Sequence, residues 1–209
     1  MMNEGVNEMT TFDFGNGPVP AHQHSNGGGW VADTATVSDT VCVGRAARVS
    51  GYAVVTGNVR VTDNARVYGN ARVYGNAVVS DNARLTGNAR VYGNVVVSGD
   101  VWVYGNAVVS DNVMVSDNVR LTGNARVSGY AEVTGNTVVD GNAVVFGDAR
   151  VYGDAMVSGD AMVFGNAEVF GNAEVDGDAR VSGYAEVFGN ARVDGNAVVD
   201  GNARVSDNG

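Results

Sequence analysis

Two histidines, one cysteine and 23 carboxylates are the side chains of this chain best suited to metal, nucleophilic or acid–base chemistry. The histidines stand together as His22-Gln23-His24, so two metal ligands could share one side of a strand. Two ligands make half a site and Asp13 is the one acid nearby, so a structural or incidental pair is the preferred reading and no metal is expected. Cys42 stands alone, which excludes an internal disulfide framework, and reads as an incidental thiol. No histidine follows His24, so hydroxyls further along lack a base to activate them, and no Ser–His–Asp arrangement can be assembled there. Paired acids such as Glu168 and Glu186 would need a pocket to raise one pKa. The many glycines do not lead helices, so no phosphate-binding loop is present. Neither catalytic residues nor a cofactor site are expected.

The elements that must position these residues are written as a repeat. From Asp33 to Ser206 the chain is 29 copies of a six-residue unit with no slip in register. Gly69-Asn70-Ala71-Arg72-Val73-Tyr74 states it most cleanly, followed by Gly75-Asn76-Ala77-Val78-Val79-Ser80. The fifth position is Val except at Leu85 and Leu121. The third is mostly Ala, with Val41, Val59, Val95, Val101, Val113, Val119 and Thr137 as exceptions. This alternation is that of a short strand with one buried face. Positions one and two are mostly Gly or Asp followed by Asn or Asp, with Tyr52, Tyr130 and Tyr184 interrupting, so each unit carries its own corner. Strand and corner repeated must coil, and a triangle closes with three six-residue units per coil, Val and Ala stacked inside.

The spacing Val73-x-x-x-Ala77, continued by Val79-x-x-x-Ala83, resembles the hexapeptide-repeat superfamily, in which an aliphatic residue is followed four residues later by a small one. The resemblance covers the whole stretch from Asp33 to Ser206. It implies an all-β chain: a single left-handed parallel β-helix, a triangular solenoid of about 9–10 coils, with the handedness coming from the family. At ~4.8 Å per coil the rod is roughly 45 Å long. Residues 1–32 are the lead-in and N-terminal cap, and 33–209 the hexapeptide-repeat β-helix. Members of known activity are mostly coenzyme A-dependent acyltransferases, with a His base on or beside a loop that interrupts the coil, and some are zinc carbonic anhydrases with three His ligands. Here the 29 units run uninterrupted and both histidines precede them. Gly28-Gly29-Trp30-Val31, running into Asp33-Thr34-Ala35-Thr36-Val37, also resembles the lead-in of bacterial and phage hexapeptide-repeat proteins. That likeness brings no activity with it.

The net charge of −10 disfavours nucleic acid as a partner. All 13 basic residues are Arg. Residues 33–126 hold nine Arg against seven acids, whereas 127–209 hold four Arg against 13. No stretch is long and apolar enough to span a bilayer, so no membrane partner is expected. No secretion signal is seen at the N-terminus, and a cytoplasmic or virion-associated protein is expected. Phe12, Phe14 and Trp30 are expected to cover the open first coil, as terminal residues of solenoids do. The last coil is expected to present open strand edges, either short enough to be tolerated or covered by another chain.

Residues three units apart lie above one another on one side of the rod. Arg48, Arg66, Arg84, Trp102 and Arg120 form one outward column, in which Arg84 and Arg120 bracket Trp102 for cation–π contact. Met114, Glu132, Arg150, Glu168, Glu186 and Arg204 form another, with ion pairs expected between coils. Val96, Trp102, Val108 and Met114 are consecutive outward positions and make an apolar belt. Aromatics gather near corners, with Tyr104 beside the belt, Tyr74 over Tyr92, Phe146 over Phe164, and Tyr152, Phe170 and Phe188 in line. The belt, Tyr104 and the four corner phenylalanines are the candidate partner or assembly surface. The reading is a non-enzymatic structural, assembly or binding rod, phage-borne or bacterial, acting through these columns and its ends on a protein partner, a second copy first. Two alternatives stand beside it. One is a trimeric acyltransferase-like enzyme, on family association alone; the other is an acidic decoy for a nucleic-acid-binding protein, from the charge of the second half.

Overall fold

The computed structural model describes residues 10–207, which contain 32 strands and no helix. The strands fall into three sheets, and each rung strand pairs in parallel with the strand three units further on, as Val73 does with Val91 and Val79 with Val97. The molecule is therefore a parallel β-solenoid of about ten turns. Its three sides are named here by their outward residues: side I runs from Trp30 through Arg48 to Arg192, side II from Thr36 through Val54 to Val198, and side III from Cys42 through Arg60 to Arg204. Along every side the amides of even positions point toward the next coil; Tyr68, Asn70 and Arg72 donate to the carbonyls of Leu85, Gly87 and Ala89 at 2.9, 2.8 and 2.9 Å.

Inside, the third and fifth positions close into one continuous column of Val and Ala, almost all without solvent contact. Leu85 and Leu121 are its largest members, and Thr137 its one fully buried polar side chain. The Thr137 hydroxyl donates to the carbonyl of Thr134 at 2.6 Å, so the core holds no unmet polar group there. Each apolar side chain so buried contributes about 1.5–3 kcal/mol before chain entropy is charged.

The corners explain why position one is Gly or Asp. Gly135 sits at φ 77, and a Cβ there would lie 2.5 Å from the Gly153 carbonyl oxygen, so glycine suits both the handedness and the close stacking. Asp63, Asp81, Asp111 and Asp117 take the same left-handed conformation. Each of these carboxylates accepts an amide from the corner above: Asp81 on Asp63 at 3.5 Å, Gly99 on Asp81 at 3.0 Å, Gly129 on Asp111 and Gly135 on Asp117 at 3.1 Å. At position two the Asn side chains link coil to coil, with Asn88 donating to Asn106, Asn106 to Asn124, Asn124 to Asn142 and Asn142 to Asp160 at 2.8–3.1 Å.

The lead-in extends side I. Strand β1 (Thr11–Asp13) pairs antiparallel with β2 (Pro18–Gln23), which pairs antiparallel with β3 (Trp30–Ala32). Strand β3 is already a rung, with Val31 inward beside Val49, so the coil begins ahead of the regular repeat. Residues 27–32 are a disguised unit whose third position is Gly29. A Cβ at Gly29 would run into the Gly44 carbonyl and the Val43 side chain. That closeness lets residues 26–29 lie along β5 (Cys42–Val43), where Gly29 donates to the Val43 carbonyl at 2.8 Å and Val43 to the Asn26 carbonyl at 2.9 Å. Among the described residues, no helix is long and apolar enough to cross a membrane.

Candidate binding surfaces

The residues suited to chemistry are held apart. His22 is exposed on β2, its Nδ1 2.8 Å from an Asp33 carboxylate oxygen. His24 is buried, and its Nδ1 accepts the Asn26 amide at 3.3 Å in the turn that starts the glycine segment. Among the described residues no three His, Cys, Asp or Glu gather as a metal site. Cys42 is a free, half-buried thiol on side III. Glu168 and Glu186 are stacked neighbours on that side, each drawn to an arginine. Arg150 lies between Glu132 and Glu168 at 3.7 Å from each, and Arg204 is 2.9 Å from Glu186. The ion pairs expected on this column are present.

Stacking along the corners is also as expected. Tyr74 and Tyr92, Phe146 and Phe164, and Tyr152 and Phe170 are parallel pairs with centroids 4.9–5.0 Å apart, and Phe188 continues the last at 5.2 Å. Tyr152 also donates to Glu168 at 3.1 Å. Burial, then that bond and the carboxylate charge, push its phenol up to about 12. Asp176 is held below the usual carboxylate range, first by the Gly177 amide and then by the Ser158 hydroxyl; Asp200 is held low by the Ser182 hydroxyl and then the Gly201 amide.

The candidate surface residues do not form one patch. Val96 and Met114 are neighbours on side III, Trp102 is on side I and Val108 on side II, so the belt wraps the rod. Trp102 and Met114 are 41% and 46% exposed, whereas Val96, Val108 and Tyr104 are half-buried. Stacking leaves Phe146, Phe164, Phe170 and Phe188 half-buried too. Arg84 lies 4.8 Å over the Trp102 ring, while Arg120 makes no such contact among the described residues. Phe12 stacks on Trp30 at 4.6 Å, with Phe14 edge-on to Phe12 at 4.9 Å and the Arg48 guanidinium 5.1 Å from the Phe12 ring. These three aromatics cluster on the outer face of side I. The glycine segment is what lies along the first strand of side III.

The most exposed aromatics are Tyr52, Tyr130 and Tyr184, at 71%, 69% and 66%. Each replaces a position-two Asn, and that substitution was the signal in the sequence. Tyr130 and Tyr184 share the corner between sides II and III with Phe146 and Phe164. Four successive coils of one edge therefore each carry an aromatic.

Charge is sorted by side as well as by half. All eight outward arginines of residues 33–126 lie on flat sides, where no acid accompanies them, and among the described residues none reaches a carboxylate. In the second half Arg150, Arg192 and Arg204 all do. Surface depressions are open grooves between neighbouring position-two and position-four side chains, such as the one lined by Asn82, Arg84, Asp100, Trp102, Asn118 and Arg120.

Comparison with known families agrees with this architecture. Residues 65–81, 83–99, 89–105 and 149–165 match the family model described as YdcK beta solenoid repeat. A search of curated proteins finds no match. The repeat matches and the stacked turns make the chain a hexapeptide-repeat-like parallel β-helix.

Proposed function

We propose that the protein is a non-catalytic rod that works by binding, and that it self-associates laterally along the corner carrying Tyr130, Phe146, Phe164 and Tyr184. The observation behind this reading is that edge. Stacking half-buries its phenylalanines, while both tyrosines project with about two-thirds of their surface in water. A row of aromatics on a rigid support is the surface that a second copy covers with least loss of chain entropy. The non-catalytic part is supported by the placement of the outward acids and arginines on or beside flat sides, open to solvent.

Light scattering on a sizing column, over a wide concentration range, tests both parts when joined to an acyl-transfer assay with acetyl-coenzyme A. The wild type is expected to rise above monomer mass, and Tyr130→Ser with Tyr184→Ser to remain monomeric with an unchanged melting temperature. A wild type that stays monomeric throughout overturns the assembly, and acyl transfer overturns the non-catalytic rod.

A further inference from the structure

Side I of the first half carries an arrangement that packing does not explain. Arg48, Arg66 and Arg84 are direct partners on successive rungs, with Trp102 and then Arg120 above them. Like charges facing each other across a sheet repel. The second half offsets this by setting Glu beside Arg, as in Glu132–Arg150–Glu168 and Glu174–Arg192, and its one stacked like pair, Glu168 and Glu186, has an arginine on each acid. The first half keeps the cations together, and among the described residues none of them pairs with a carboxylate; the acids of these units, Asp63, Asp81, Asp100 and Asp117, stand at the corner with side III, across the face from the sixth positions.

A second row runs beside the first. The sixth positions of the same strands, at the corner of sides I and II, are Ser50, Tyr68, Thr86, Tyr104 and Thr122, a hydroxyl on each of five rungs. None of these five makes a side-chain hydrogen bond within the described residues. From the sixth rung the row changes sign, reading Asp140, Ser158, Asp176 and Asp194, with the Ser158 hydroxyl bound to Asp176 at 3.1 Å. The track of cations and free hydroxyls therefore starts under the β1–β2 turn, where Phe14 overhangs Arg48, Ser50, Arg66 and Tyr68, and stops after five rungs.

We infer that this track binds an acidic polysaccharide, whose carboxylate or sulfate groups meet the arginines while its ring hydroxyls meet the hydroxyl row. Guanidinium forks hold oxyanions at two points, which fixes a flexible chain on a flat surface. Arg48, Arg84 and Arg120 recur every second rung, about 10 Å apart, roughly the length of two linked sugars, so on a chain charged at each sugar they meet alternate groups. Single-stranded nucleic acid is disfavoured because it needs open aromatic platforms, and the Trp102 ring lies under Arg84. Side I faces away from the aromatic edge, so both contacts can be made at once. The inference rests on the reading of the protein as a binding rod.

The test is titration of the whole protein with polygalacturonate, heparin, dextran and oligo-deoxythymidylate at matched ionic strength. One or both acidic glycans are expected to bind, the choice between them separating carboxylate from sulfate, and dextran is not. Arg66→Glu sets an acid between Arg48 and Arg84 in the pattern the second half already uses, and Arg120→Glu reverses the charge above Trp102. The double variant is expected to melt no lower than wild type and to bind about tenfold or more weakly. Arg60→Glu, on side III, is expected to bind as wild type does. Binding to neither acidic glycan, unchanged binding by the double variant, or equal affinity for the oligonucleotide overturns the inference. None of those results touches the proposed rod, which fails on its own mass and acyl-transfer measurements.

Discussion

Tyr152 shows how a surface residue of this rod acquires the character of a buried one. Its ring lies against Phe170 and its hydroxyl on Glu168, and burial leads the factors that push the phenol up to about 12. The folded-state pKa lies above the ordinary value of about 10, so folding favours the protonated form. The stability it contributes is complete below pH ~10 and is lost as pH rises from there through about 12. An alkaline titration followed by phenolate absorbance should show a late step near pH 12. In Tyr152→Phe that late step should be absent. Half-buried Asp176 and exposed Asp200 follow the opposite sign, with support present above the usual carboxylate range and lost as acid protonates them.

The corner is the element on which the coil depends, and two glycines separate its two demands. Gly135 and Gly201 both have left-handed backbones, at φ 77 and 69, but only Gly135 has a coil stacked close above the missing Cβ. Gly201→Ala should cost about 1–2 kcal/mol, from the backbone alone. Gly135→Ala should cost more, by about 1–3 kcal/mol, because Gly153 must move; urea melts of the two variants measure the difference. Corners and strands were legible in the sequence because their cause is local: Val and Ala alternate with period two, and Gly or Asp recurs with period six. The ion pairs of side III and the aromatic stacks were legible too, since both follow from counting three units along the chain. The cap was not. Phe12, Phe14 and Trp30 have the composition of an end plug, but Trp30 is the outward residue of rung β3 and the β1–β2 hairpin extends side I, so the three cluster on its outer face. Gly27 to Gly29 hid a rung because glycine stands there where the other units have Ala or Val. The Arg84–Trp102 contact without its Arg120 counterpart depends on side-chain rotamers, which spacing does not determine.

At the scale of the whole molecule, three sides and three corners carry different surfaces around one uniform core. Cations and hydroxyls run along side I in the first half, Glu–Arg pairs on side III in the second, and aromatics line one edge. Because the core is Val and Ala at nearly every rung, it accepts any neighbour, and only the outside records which side a residue is on. Removing Gly153–Phe170, one full coil, should leave a rod shorter by about 4.8 Å, with Tyr152 now beneath Phe188 and Arg150 beneath Glu186. Removing only Gly153–Ser158 should also fold, yet it turns everything beyond by one side. Phe146 then meets Phe170, which with Phe188 takes the places of Phe164 and Ser182 on the edge, while Tyr152 meets Asp176 and the exposed Tyr184 leaves the edge. Thermal melts should find the first deletion close to wild type and the second less stable, and light scattering should find weaker self-association in the second, which has lost Tyr184 from the edge. For a lineage carrying such a gene, the smallest heritable change in length that its surfaces do not notice is three repeats, so duplications and losses should survive in threes.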